Sequence, residues 1–203
     1  ITGVDGDLVI NPASLTITAD DKGKTFGDAN PSLTASYSGL TGGDSAGSDL
    51  STDTSLGTAA TASSDVGSYT ITASGASDPN YTITEVDGTL TVNPANLTIT
   101  ADDKGKTFGD ANPALTASYS GLTGGDTTGS DLSTDTTLST VAVTNSDAGT
   151  YTITASGASD PNYSITEVDG TLTVNPAALT ITADDDAKTF GDVNPTFTAS
   201  YSG

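Results

Sequence analysis

NPASLTITADDKGKTFGDANPSLTASYSGL, from Asn11 to Leu40, returns as NPANLTITADDKGKTFGDANPALTASYSGL from Asn93 to Leu122. It begins a third time as NPAALTITADDDAKTFGDVNPTFTASYSG, from Asn175 to Gly203. In the first occurrence Leu15, Ile17 and Ala19 fall on one side of an extended chain, with Thr16 and Thr18 on the other. Leu33, Ala35 and Tyr37 repeat the alternation. A period of two marks a strand with one buried face, and no 3.6-residue stripe competes with it. The stretch reads as β, and its return makes the whole chain all-β.

The repetition extends well beyond this segment. Residues 11–92 align with 93–174 without a gap, and 69 of the 82 positions are identical. The first ten residues, ITGVDGDLVI, match ITEVDGTLTV at Ile83–Val92. The expected organisation is the last strand or strands of a preceding repeat in 1–10, modules at 11–92 and 93–174, and the start of a third in 175–203. A fixed period of this kind makes each unit a structural module in an array. Units this small bury only about 60–65% of their unfolded surface, so their cores are modest.

The rest of a unit is punctuated by turn residues. Tyr69, Ile71 and Ala73 form one alternating run, Tyr81 and Ile83 open another, and Leu90 and Val92 close the unit. Asp87-Gly88, between Tyr81–Val86 and Thr89–Val92, reads as a two-residue hairpin turn. A slip of the alternation between Ile83 and Val86 reads as a bulge near Glu85. GLTGGDSAGSDL, from Gly39 to Leu50, reads as a loop or one short helical turn. Differences between the copies concentrate in Ser51–Ser68, which suggests an edge or an outward face. Asn93-Pro94-Ala95 and Asn175-Pro176-Ala177 join the copies. Proline disfavours helix and stiffens an extended connector, so the modules are expected end to end.

Composition excludes several function classes. The chain carries 26 acidic and 5 basic residues, a net charge of −21. A nucleic-acid groove or a direct contact with an anionic membrane needs clustered cations that are missing here. No apolar run approaches a bilayer span and no leader is recognisable, so a leader or an anchor, where one exists, is expected outside this stretch. With 0 Cys and 0 His there is no disulfide framework, thiolate or imidazole base. No enzyme is expected; only carboxylate chemistry of the glycosidase kind remains in principle.

The aspartates are candidates for calcium, which takes six to eight oxygen ligands. Asp20, Asp21 and Asp28 lie close in sequence, with Asp87 near the unit junction; Asp102, Asp103, Asp110 and Asp169 are their counterparts. The opposing reading is a charged hairpin neutralised by Lys22 and Lys24, and no D-x-D-x-D-G loop occurs. Lys24, Asn80 and Glu85 also supply the residue types of an isopeptide crosslink, although Gly3 stands where the full copies have Glu85 and Glu167. Tyr37, Tyr69 and Tyr81 lie on apolar faces and read as core residues with hydroxyls at the rim.

LTITADDKGKTFGDANPSLTASYSGL, VGSYTITASG and NYTITEVDGTLTV together resemble the MBG repeat of large bacterial surface adhesins. Lys24-Thr25-Phe26-Gly27, and its counterparts at Lys106 and Lys188, stand at the family's Lys-x-Tyr-Gly signature with Phe in place of Tyr. The resemblance implies a secreted protein at the bacterial cell surface, in which such modules stack as a stalk that projects a distal binding region. The alternative is that each repeat is itself an adhesion module for glycans or a host protein. Neighbouring repeats are the expected partners. Asp65-Val66-Gly67-Ser68-Tyr69 resembles the Asp-x-Gly-x-Tyr turn of immunoglobulin-like sandwiches. The expected module is therefore a small immunoglobulin-like antiparallel β-sandwich of roughly seven strands. A β-grasp module with Thr41–Leu50 as its short helix is the alternative.

Overall fold

The computed structural model describes residues 5–203. Gly3 and its neighbours in 1–4, where part of the expected leading strand falls, lie outside the described residues. The chain groups into two compact units. One comprises Ile1–Leu97, Ser120–Asp135 and Ser159–Thr166; the other comprises Thr98–Tyr119, Thr136–Ala158 and Glu167–Gly203.

In the first unit the alternating runs become seven strands: β1 (Ala13–Ala19), β2 (Lys22–Thr25), β3 (Ala35–Ser38), β4 (Ser55–Thr58), β5 (Gly67–Ser74), β6 (Tyr81–Val86) and β7 (Gly88–Asn93). They form two sheets, of order β3-β1-β6 and β2-β7-β5-β4. β1 pairs antiparallel with β3 but parallel with β6. β7 pairs antiparallel with β5 but parallel with β2. The strand count agrees with expectation, whereas two of the pairings are parallel rather than antiparallel.

The parallel pairs overturn the hairpin expected at Asp87-Gly88. Thr18 faces Val86 and Lys22 faces Leu90, the same offset on either side of Asp87. β6 therefore runs on into β7 in one direction, just as β1 runs on into β2, and both chains pass from one sheet to the other. Gly88 serves this crossing. A Cβ there would collide with the Ala19 carbonyl. The glycine thus permits close approach of two backbones and does not supply a positive-φ turn. The expected bulge near Glu85 is absent too. Ile83, Thr84, Glu85 and Val86 face Leu15, Thr16, Ile17 and Thr18 without interruption. The alternation holds because Glu85 takes the inward position and leaves Val86 41% exposed.

Each sheet has its own apolar cluster. Leu15, Ile17, Leu50 and Tyr81 gather on the three-stranded sheet, joined by Tyr37, Leu40 and Ile83. Ala19, Ala60, Ile71, Ala73 and Leu90 gather on the four-stranded sheet, joined by Leu33, Leu56 and Tyr69. Leu40 and Leu50 bracket the 41–50 segment, which consists of turns with no α-helix, so the β-grasp helix does not form. β4 is an edge strand, and its variable positions Ser55 and Gly57 are exposed, as is Ala59 just beyond it. Residues 5–12 form no strand, and Leu8 and Ile10 are exposed. β7, their counterpart, is flanked by β2 and β5; no described residue takes either place beside Leu8–Ile10.

The second copy continues as β8 (Ala95–Ala101), β9 (Lys104–Thr107), β10 (Ala117–Ser120), β11 (Thr137–Ser139), β12 (Gly149–Ser156), β13 (Tyr163–Val168) and β14 (Gly170–Asn175). One 3-10 turn, Gly129–Asp131, occurs where the first copy has turns alone. The second unit holds a four-stranded sheet of order β11-β12-β14-β9 over Ala101, Ala142, Ile153, Ala155 and Leu172. It also contains β15 (Thr180–Ala183) paired antiparallel with β16 (Ala199–Ser202), both exposed throughout. All described structure is β strand, turn or irregular chain, as the alternation predicted.

Candidate functional site

The first module begins and ends on neighbouring strands. Ala13 faces Tyr81 at one end of the parallel ladder, and Thr25 faces Asn93 at the other. Because the paired chains share a direction, the chain comes into the module at one end of the ladder and leaves it at the opposite end. Pro94 alone separates β7 from β8. The Asn93 carbonyl accepts from the Phe26 N–H at 2.8 Å, and the Asn93 amide donates to the Lys24 carbonyl at 3.3 Å, tying the exit to β2.

Lys24 does not neutralise the aspartates. It is 7% exposed, and its ammonium donates to the carbonyls of Asp28 at 3.0 Å, Ala62 at 3.3 Å and Thr61. Lys106 repeats this with Asp110, Val143 and Thr144. A buried ammonium is tolerable here because its three donors meet three main-chain acceptors. The lysine thus pins the 61–62 turn and the turn after β2 to the four-stranded sheet. An ion pair of the expected kind joins Lys104 to Asp102 at 4.0 Å.

Glu85 has a structural role that the sequence reading did not assign to it. Its carboxylate accepts from the Gly75 N–H at 2.9 Å, the Ala76 N–H at 3.2 Å and the Thr54 hydroxyl at 2.6 Å. Glu167 does the same for Gly157, Ala158 and Thr136. The available signal was a charged residue at an inward strand position, which must find partners.

The calcium candidates are placed as follows. Asp20 accepts from the hydroxyls of Ser36 and Thr34, which hold its carboxyl below the usual value. Asp21 accepts the Thr89 N–H at 2.7 Å, and Asp87 accepts the Ala73 N–H at 3.0 Å. In the second copy Asp102 takes Ser118 and Thr116, Asp103 takes Thr171, and Asp169 takes Ala155. The Asp28 carbonyl takes Lys24, and the Asp110 carbonyl takes Lys106. Among the described residues no three acidic side chains converge into a group that could hold a metal ion.

The isopeptide trio is not brought together. The Lys24 ammonium meets main-chain carbonyls, Glu85 serves the 75–76 turn, and Asn80 lies in the turn before β6. The tyrosines are rim-bonded core residues. Tyr69 donates to the Asp65 carbonyl at 2.9 Å, a tyrosine corner of the immunoglobulin kind. Tyr37 donates to the Asp53 carboxylate, and burial together with that carboxylate pushes its hydroxyl up to about 12. Tyr81 is buried and bonded to Thr41 and Asp44.

No curated protein sequence matches the chain. The family described as MBG domain (YGX type) matches residues 15–91, 97–173 and 179–203. These spans begin within β1, within β8 and beside β15, and each carries one Lys-x-Phe-Gly segment. The chain therefore belongs to the MBG domain family of the YGX type, as three successive repeats.

Proposed function

We propose that this chain is a stalk segment of a secreted bacterial surface adhesin, a spacer that carries load between the cell and a distal binding region. One observation carries the reading: the first and last strands of a module pair in parallel, in constant register, from Ala13–Tyr81 to Thr25–Asn93. Tension applied at the two ends of such a ladder pulls its strands past each other. All of its hydrogen bonds then share the load in shear, whereas a hairpin would unzip one bond at a time. Thirteen residues of extended chain set a module length of roughly 40 Å at most. Gain or loss of a copy changes length and leaves each fold intact, because the repeats are nearly identical.

The −21 net charge supports the same use, since like-charged stalks stay soluble and apart. The rival, a repeat that binds glycans by itself, calls for exposed aromatic platforms. In the first copy Tyr37, Tyr69 and Tyr81 instead have their hydroxyls bonded inside the module, and Phe26 is buried. Pulling on the chain by its ends tests the proposal. A module that resists as a sheared ladder unfolds at a force well above that of a hairpin-terminated control. Unfolding at the control's force, or reproducible glycan binding by the chain, overturns it.

A further inference from the structure

Rings from two different repeats meet inside the first unit. Phe26 is 5% exposed, and its ring stands edge-on to that of Tyr163, centroids 5.5 Å apart at 81°. Beside them Asn162 accepts the Val66 N–H at 2.9 Å and donates to the Asp65 carboxylate at 2.9 Å. Glycines on both faces make the fit possible. A Cβ on Gly124 would overlap the Phe26 ring, and one on Gly27 would overlap the Thr123 side chain. Their counterparts Gly42 and Gly109 have similar positive φ angles but meet nothing within 4 Å.

The same surfaces recur unseated. Phe108 is 44% exposed beside a cleft of about 590 Å³ that Ala148 and Leu179 also line. On the first copy Thr41, Pro79 and Asn80 line a hollow of about 230 Å³ with Ile10–Ala13. These are the counterparts of Thr123, Pro161 and Asn162. The hollow is already shaped: the Tyr81 hydroxyl bonds the Thr41 N–H, the Thr41 carbonyl and Asp44, as Tyr163 bonds Thr123 and Asp126.

We propose that the Phe-Gly pair of each Lys-x-Phe-Gly segment is a knob that recognises the repeat following it, and that the seat is that repeat's Thr-Gly-Gly-Asp loop with its Asn-Tyr pair. The signature thereby divides its work. Its lysine fastens its own module, and its aromatic fastens the next one. Knob and seat are different surfaces of one repeat, so the contact is heterologous and propagates head to tail. The Asn162–Asp65 bond adds direction to an apolar contact, and the glycine at 124 excludes any repeat with a side chain there. This deepens the stalk reading and rests on it for its purpose.

Each contact has a built-in control in the other copy. By amide exchange in the full chain, Val66 should exchange more slowly than its counterpart Ala148. N162A should speed Val66 by about tenfold, the loss of one hydrogen bond, while N80A changes neither amide. F26A should erase the ring-current shift that distinguishes Tyr163 from Tyr81, and F108A should not. G124A should disturb Val66 and Tyr163, whereas G42A, at the same kind of backbone angle, should leave both unchanged. Should F26A fail to fold, N162A decides, because the main-chain bonds of Asn162 stay in place. Equal exchange of Val66 and Ala148 in the unaltered chain, or like effects of N162A and N80A, overturns the proposal. The pulling measurement is unaffected by either result, so failure of the joint and failure of the stalk reading are separable.

Discussion

The Lys24 ammonium donates to the carbonyl of Thr61, a position where the copies differ: Thr61 is replaced by Val143, and Lys106 bonds the Val143 carbonyl in the same way. The contact uses main chain, so the side chain at that position is free to vary. K24M keeps the apolar stem but leaves three carbonyls without their donor. It should destabilise the first copy by about 1–3 kcal/mol. T61V should change stability by less than about 0.5 kcal/mol. Denaturant unfolding of both variants checks the contrast.

Glu85 holds the turn after β5 against β6 through two N–H donors and one hydroxyl. E85A should cost about 1.5–3 kcal/mol, the range for hydrogen bonds to a charged acceptor. E167A should act equally on the second copy. E85Q should fall between wild type and E85A, since its oxygen still accepts while its NH₂ faces a donor. Thermal unfolding of the three variants orders them.

Gly88 distinguishes a crossing strand from a turn. G88A puts a methyl against the Ala19 carbonyl, with φ outside the left-handed region, and should destabilise by about 1–3 kcal/mol through overpacking. A hairpin glycine of positive φ would instead tolerate asparagine, so G88N should be at least as damaging as G88A. Chemical unfolding of the two variants reads this directly.

These residues also mark how far the sequence was legible. Strand positions, the unit length and the all-β class follow from local alternation and from the copies themselves. Pairing direction does not, because Asp87-Gly88 suits a type I′ turn and a kinked strand equally, and only the position of β1, 68 residues away by register, decides. The lysine cage left no trace because its acceptors are carbonyls, which every residue has. Phe26 stood in the sequence only as the aromatic of the Lys-x-Phe-Gly segment; its partner Tyr163 lies in the next copy, beyond the reach of any local pattern. Glu85 alone was readable: the run Tyr81, Ile83, Glu85 keeps its period if the carboxylate is accepted as inward.

Stability should fall at both ends of the pH scale. Asp20, Asp49 and Asp78 lie below the ordinary 3.8, held there chiefly by Ser36, by the Ser45 N–H and by the Asn80 N–H. Carboxyls lowered on folding stabilise above pH 3.8, and that contribution disappears as pH drops through the folded values. Tyr37 and Tyr163 are raised to about 12 from 10.0, chiefly by burial. Their contribution is complete below pH 10.0 and is lost as pH climbs toward 12. Melting temperature across pH should therefore form a plateau with two falling shoulders, and Y37F should soften the alkaline one.

The aspartates lead to a last expectation, about calcium. Asp21 and Asp87 each accept a main-chain N–H and Asp20 accepts two hydroxyls, and among the described residues no three acidic side chains converge, so gathering this set around one ion would pull on bonds that join the strands. A divalent ion should act on the chain mainly by screening its −21 charge, which depends on ionic strength and not on ion identity. Calcium and magnesium at equal ionic strength should then raise the melting temperature by the same amount. A specific site behaves differently, because binding to the folded state alone adds RT ln(1 + [L]/Kd) and separates the two ions. A calcium-specific rise that grows logarithmically with concentration would show that carboxylates of this chain do form a site for it.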